Sequence, residues 1–117
     1  MTSSPSNFKP WDVVVVPFPY SDHPDEKVRP AVVLSSPRHI RATGVCYLAM
    51  ITSAQNPSWE GDVLVTNLRA TGLPVPSVVR PAKVMSLNTS RIVRRIGSLP
   101  KADRESVKSS MQLFLAS

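Results

Sequence analysis

Short apolar blocks separated by polar, proline-rich stretches predict strands along most of this chain. Trp11 to Phe18 holds Val13, Val14, Val15 and Val16 in succession, and a run of β-branched residues favours a strand buried on both faces over a helix. Pro17 and Pro19 end it. The polar stretch Pro19 to Lys27, with Asp22, Pro24 and Asp25, reads as a loop. Val28 to Ser35 is a second strand, with Pro30 near its start, where a missing backbone donor is tolerable. Pro37 to Gly44 reads as an irregular or short helical connection, and Val45 to Thr52 resumes the apolar run as a third strand. Ala54 to Gly61 is a loop; Asp62 to Asn67 is a shorter strand with Val63 and Val65 on one face and Leu64 on the other. Leu68 to Pro76 is again a loop, and Ser77 to Val84 and Arg91 to Leu99 bring the strand count to six. After Leu99 the period changes. Val107, Met111 and Phe114 recur at spacings of four and three, one face of a helix, and Pro100 stands at its first turn, where no N–H is needed.

These elements predict a mainly β (α+β) fold: a small, strongly curved barrel of about six strands with a C-terminal helix packed on it. Composition sharpens the picture. A length of 117 residues bounds one compact domain, here 11–117, preceded by a polar, flexible N-terminal arm over 1–10. Twelve prolines, about twice the number an average composition supplies, fall mostly between the strands. No apolar run is long enough to cross a bilayer, and the N-terminal stretch lacks the apolar segment of a secretory signal. Cys46 is the sole cysteine, which excludes an intrachain disulfide. A cytoplasmic protein with no membrane partner is the expectation.

Fourteen Lys and Arg against eight Asp and Glu leave a net charge of +6. That balance suits a polyanionic partner without distinguishing RNA, DNA, acidic peptide or anionic lipid. One cysteine and two distant histidines offer no zinc spacing, and the acidic residues form no clustered pair of the kind a two-metal nuclease uses. No metal or other cofactor is expected.

Three motifs carry a resemblance. The first is Asp12-Val13-Val14-Val15-Val16-Pro17-Phe18, followed after a loop by Val28-Arg29-Pro30-Ala31-Val32-Val33-Leu34-Ser35. The second is Met50-Ile51-Thr52-Ser53, an apolar strand closing on adjacent hydroxyl residues. The third runs from Gly72-Leu73-Pro74-Val75-Pro76-Ser77-Val78-Val79-Arg80 through Leu87 to Arg95-Ile96-Gly97-Ser98-Leu99 and the terminal helix. In order and spacing the chain from Trp11 onward resembles the MazF/PemK toxin family. Two positions depart from its pattern: Trp11-Asp12 stands where the family usually has Gly-Asp, and Ala82 where some members carry an Asp two residues after the arginine matching Arg80.

The resemblance implies a homodimer of SH3-like barrels that grips single-stranded RNA in a groove at the interface. It also implies cleavage to a 2′,3′-cyclic phosphate and a 5′-hydroxyl, and silencing by an antitoxin with an acidic segment. Such chemistry needs no metal, because RNA carries its own 2′-hydroxyl nucleophile, and a planar arginine suits the charge that grows on the phosphorane.

By the same resemblance Arg29 is the catalytic arginine, although a surface ion pair with Asp25 or Glu26 is its structural alternative. Thr52 matches the hydroxyl partner and Ser53 follows it. Either can donate to a phosphate oxygen, or simply cap the strand. Arg80 matches a groove arginine or lies on a solvated strand face. His23, six residues before Arg29, matches a histidine credited with proton transfer or is an idle loop residue. Tyr20 and Trp59 can stack on unpaired bases or cover a barrel end. Two rival readings use the same barrel: a non-enzymatic CcdB-like gyrase poison, and a catalytically inactive nucleic-acid-binding regulator.

Overall fold

In the computed structural model, which describes residues 8–17 and 27–116, six strands form one antiparallel sheet. They are β1 (Asp12–Pro17), β2 (Val28–Val33), β3 (Val45–Ser53), β4 (Val63–Leu64), β5 (Ser77–Asn88) and β6 (Arg94–Ser98). Their spatial order is β4-β5-β3-β2-β1-β6, and the sheet curls into a half-barrel. The helices are α1 (Pro37–Thr43), α2 (Leu68–Thr71) and α3 (Lys101–Gln112).

The four-valine run is buried on both faces, as its composition predicts: each valine is at most 6% exposed. Alternation divides it between two cores. Val13 joins Val32, Ala49, Ile51, Val79, Leu99 and Val107, which sit beneath α3. Val14 and Val16 join Ala31, Val33, Ile40, Leu48, Met50 and Leu87 on the other face, where α1 covers them. Val107 is completely buried, which contributes about 1.5–3 kcal/mol toward docking α3 on the sheet. Phe8, within the arm expected over 1–10, packs against the second core.

Four elements differ from the sequence pattern, each for a local reason. β5 runs past Val84 to Asn88 because Pro81, Ala82 and Lys83 form a bulge: Met50 pairs with Arg80 but Ala49 with Val84. Pro81 lacks a backbone donor and is accommodated where the ladder is interrupted. The strand expected over Asp62 to Asn67 shrinks to Val63–Leu64, since Asp103 of α3 takes both the amide and the hydroxyl of Thr66, at 3.0 and 2.9 Å. The loop expected from Leu68 contains α2, opened by the Asn67 side chain accepting from the Ala70 amide. Thr89–Arg91 make a 3-10 turn, which delays β6 to Arg94.

Two glycines set the approach of α2 to β6. Gly72, at φ 73°, ends α2, and a Cβ there would strike the backbone carbonyl of Ile96. A Cβ on Gly97 would strike the carbonyl of Thr71. Backbone thus packs on backbone, a distance only glycine permits.

Candidate functional site

The sheet parts at one end. β2 and β3 pair from Val33–Leu48 to Ala31–Met50. Beyond that point Arg29 stays with Val16 of β1, and Thr52 with Val78 of β5. The separated strand ends line a groove of about 900 Å³, with Val28, Arg29 and Pro30 from β2 and Ile51, Thr52 and Ser53 from β3. The Gly72–Val75 loop, Lys83, and Arg94 and Ile96 of β6 complete much of the lining.

Alternation fixes which side chains meet there. Ala31 and Met50 face the second core, so Arg29 and Thr52, each two positions further along its strand, lie on that same face where apolar filling gives out. Arg29, Thr52, Lys83 and Arg80 also border a smaller cavity of about 70 Å³. Arg29, Lys83 and Arg94 line the main groove, and no described Asp or Glu does. The charges that the described residues bring to the groove are thus all positive, which favours a polyanion there.

Arg80 does not lie on a solvated strand face; it borders the smaller cavity beside Arg29 and Thr52 and is not among the residues that line the main groove. It is 8% exposed. Its Nε and Nη2 each donate to the Asp62 carboxylate at 3.0 Å, and Nη2 also donates to the Pro57 carbonyl at 2.9 Å. The guanidinium lies 4.3 Å from the centroid of the Trp59 ring, a cation–π contact, and Trp59 remains half exposed. Burial works to raise the Asp62 carboxyl, but hydrogen bonds from Arg80 and the Trp59 amide, with the Arg80 charge, hold it below the usual aspartate range. Asp62 was invisible as a partner in the sequence, because only the β5 fold-back brings it across.

Thr52 and Ser53 differ in their bonding. Ser53 Oγ accepts from the Gln55 amide at 3.2 Å, the strand-capping use of a serine. Thr52 Oγ1 accepts from Asn56 Nδ2 at 2.5 Å, and Asn56 also lines the groove. Sequence reasoning missed Asn56, a polar loop residue with no motif around it. Tyr20 and His23 lie outside the described residues. His39 stacks on Tyr47, with centroids 5.8 Å apart, and is not part of the groove lining.

Asp12 is buried and receives Arg95 Nε at 2.9 Å and the Lys9 amide at 2.9 Å. The residue before it, Trp11, has φ 73°, the one positive φ outside glycine among the described residues. The departure from Gly-Asp therefore falls where the backbone favours glycine. Cys46 is buried in the second core, and burial pushes its thiol up to about 11. Among the described residues no three of His, Cys, Asp and Glu converge in a way that could hold a metal ion.

A curled six-stranded half-barrel with a C-terminal helix, and a groove where two of its strands part, defines a class of small β domains. Residues 9–115 match the model of the PemK-like, MazF-like toxin of type II toxin-antitoxin systems, and the chain belongs to that family. No curated protein sequence matches it significantly. Among solved structures it is similar to MazF from Deinococcus radiodurans, at 22% identity and a TM-score of 0.73, covering 92% of this chain and 94% of that one. An endoribonuclease from a mycobacterial species, in complex with its cognate antitoxin, superposes with a TM-score of 0.74 at 13% identity over 94% of this chain and 98% of that one. The Mycobacterium tuberculosis toxin MazF-mt6 gives 0.68 at 19% identity, over 87% and 93%.

Proposed function

We propose that this toxin is a metal-independent endoribonuclease that cuts single-stranded RNA in the groove where β2 and β3 part. The observation that carries this reading is the meeting of Arg29 and Thr52 on one face of a cleft whose other described charges are cationic. The RNA 2′-oxygen attacks the adjacent phosphorus, its proton leaves, the bond to the 5′-oxygen breaks and that oxygen gains a proton. The products are a 2′,3′-cyclic phosphate and a 5′-hydroxyl. Arg29 meets the charge of the phosphorane with a planar pair of donors. Thr52 donates to a phosphate oxygen, with Ser53 beside it. His23 is the proposed proton carrier, and Tyr20 and Trp59 stack on bases. Arg80 serves the same RNA site from beneath Trp59.

The proposed assembly is a homodimer with a shared groove, supported by the exposed Val28 and Val75 at its rim. The proposed regulator is an antitoxin with an acidic segment, supported by the +6 charge and by the antitoxin complex of the mycobacterial relative. The test is incubation of the purified chain with a long structureless RNA in EDTA, with both fragment ends mapped. Discrete cuts bearing cyclic-phosphate ends are expected. Recovery of lost activity by Mg²⁺ or Mn²⁺ would defeat the metal-free mechanism, and intact RNA beside inhibited gyrase would favour the non-enzymatic rival.

A further inference from the structure

We infer that Asn56 is a positioning residue that turns the Thr52 hydroxyl into a directed donor facing the groove; the inference rests on reading that groove as the RNA cleavage site. A threonine hydroxyl has one proton and two lone pairs, and left alone it rotates to suit its surroundings. Asn56 Nδ2 donates to Thr52 Oγ1 at 2.5 Å. An amide nitrogen cannot accept in return, so the Thr52 proton is left to point elsewhere. Both residues line the groove together with Arg29, where a phosphate oxygen is the natural acceptor.

The loop that carries Asn56 is fixed on both sides. Its entry is held by the Ala54 amide on the Pro76 carbonyl at 2.9 Å and the Asn56 amide on the Ser53 carbonyl at 3.1 Å. Its exit is held by Arg80, which grips the Pro57 carbonyl and the Asp62 carboxylate. Pro57 further restricts the backbone of the residue before it, Asn56. The buried arginine thus acts on the groove through the loop, and Asn56 is the point at which that loop touches a reacting group.

The polarity of the contact provides the test. Asn56→Asp keeps the shape but accepts the Thr52 proton instead of donating to the oxygen. Asn56→Ala removes the contact. In single-turnover cleavage by the full chain, Asn56→Ala should slow cutting about fivefold, the scale of one exposed hydrogen bond, with binding of a 2′-deoxy-substituted RNA unchanged. It should cost nothing further in a Thr52→Ala chain. Asn56→Asp should fall to the rate of Thr52→Ala. A fully active Asn56→Asp, or an equal loss with and without Thr52, overturns the inference. A wild-type chain that leaves RNA intact instead overturns the cleavage reading, and the contact is then decided by NMR. One Asn56 side-chain amide proton should be shifted downfield and should return toward its free position in Thr52→Ala; identical Asn56 signals in the two chains defeat the proposal.

Discussion

Trp11 shows how one residue can satisfy packing and offend the backbone together. Its φ of 73° costs a non-glycine residue about 1 kcal/mol or more. Three contacts hold it there: the ring packs on the first core, the amide donates to the Val33 carbonyl at 2.7 Å and the carbonyl accepts from Leu99 at 2.9 Å. Trp11→Gly should lose the ring's burial but relieve the strain, whereas Trp11→Ala loses the burial and keeps the strain. Urea unfolding should therefore rank wild type above Gly and Gly above Ala, with Ala lower than Gly by about 1 kcal/mol. An alanine variant as stable as the glycine variant would show that the position carries no strain. Arg29 poses a question of chemistry at the same scale. Arg29→Lys keeps the charge and loses the flat two-pronged donor. It should lower the single-turnover rate about a hundredfold, or about 3 kcal/mol, nearly as much as Arg29→Ala, with little change in binding of uncleavable RNA. If lysine cuts at the wild-type rate, Arg29 only positions the RNA.

Among the elements, the segment between β3 and β4 depends on a single buried ion pair. Arg80→Ala leaves Asp62 charged without its partner, at a cost of about 3–5 kcal/mol; Asp62→Ala in the same chain should restore part of that. The pair also sets an acid limit. Asp62 is held below its unfolded value, so its contribution is complete above about pH 4, the ordinary aspartate range, and is lost as pH falls through the lowered folded value. The stability gap between wild type and Asp62→Asn should therefore narrow in acid, and a gap constant from pH 7 to 3 would contradict the account. What the sequence revealed of these elements follows the range of the forces involved. Val13 to Val16 declared a two-faced strand because burial on both sides is written into consecutive residues, and Arg29 and Thr52 stood out through a motif. The extension of β5 from Met85 to Asn88 was hidden because those residues find their partners, Leu48 to Val45, only after the bulge opposite Met50 has shifted the register. Asp62 and Arg80 are 18 residues apart, and no local pattern links them. Asn56 was hidden because its meaning lies in one hydrogen bond.

At the scale of the whole molecule, the charge of +6 and the partial exposure of the groove bear on the same quantity, the number of phosphates neutralised together. Arg29, Lys83 and Arg94 are the cations among the described residues that line one chain's groove. Each phosphate neutralised on a single strand contributes roughly 0.7 to the slope of log affinity against log salt, so one chain acting alone should give a slope near −2. A groove shared by two chains presents both sets of cations to one RNA, and the slope should then approach about −4. The apolar side chains at the rim favour the shared arrangement: Val28 and Val75 are 49% and 47% exposed, surface that a second copy would cover at little cost. We therefore expect sedimentation at micromolar concentration to find a dimer, and binding of a 2′-deoxy-substituted RNA to follow the steeper slope. Arg94→Ala should flatten that slope by about 1.4, because a symmetric dimer loses the contact twice. A monomer in the centrifuge with undiminished cleavage and a slope near −2 would place the whole reaction within one chain.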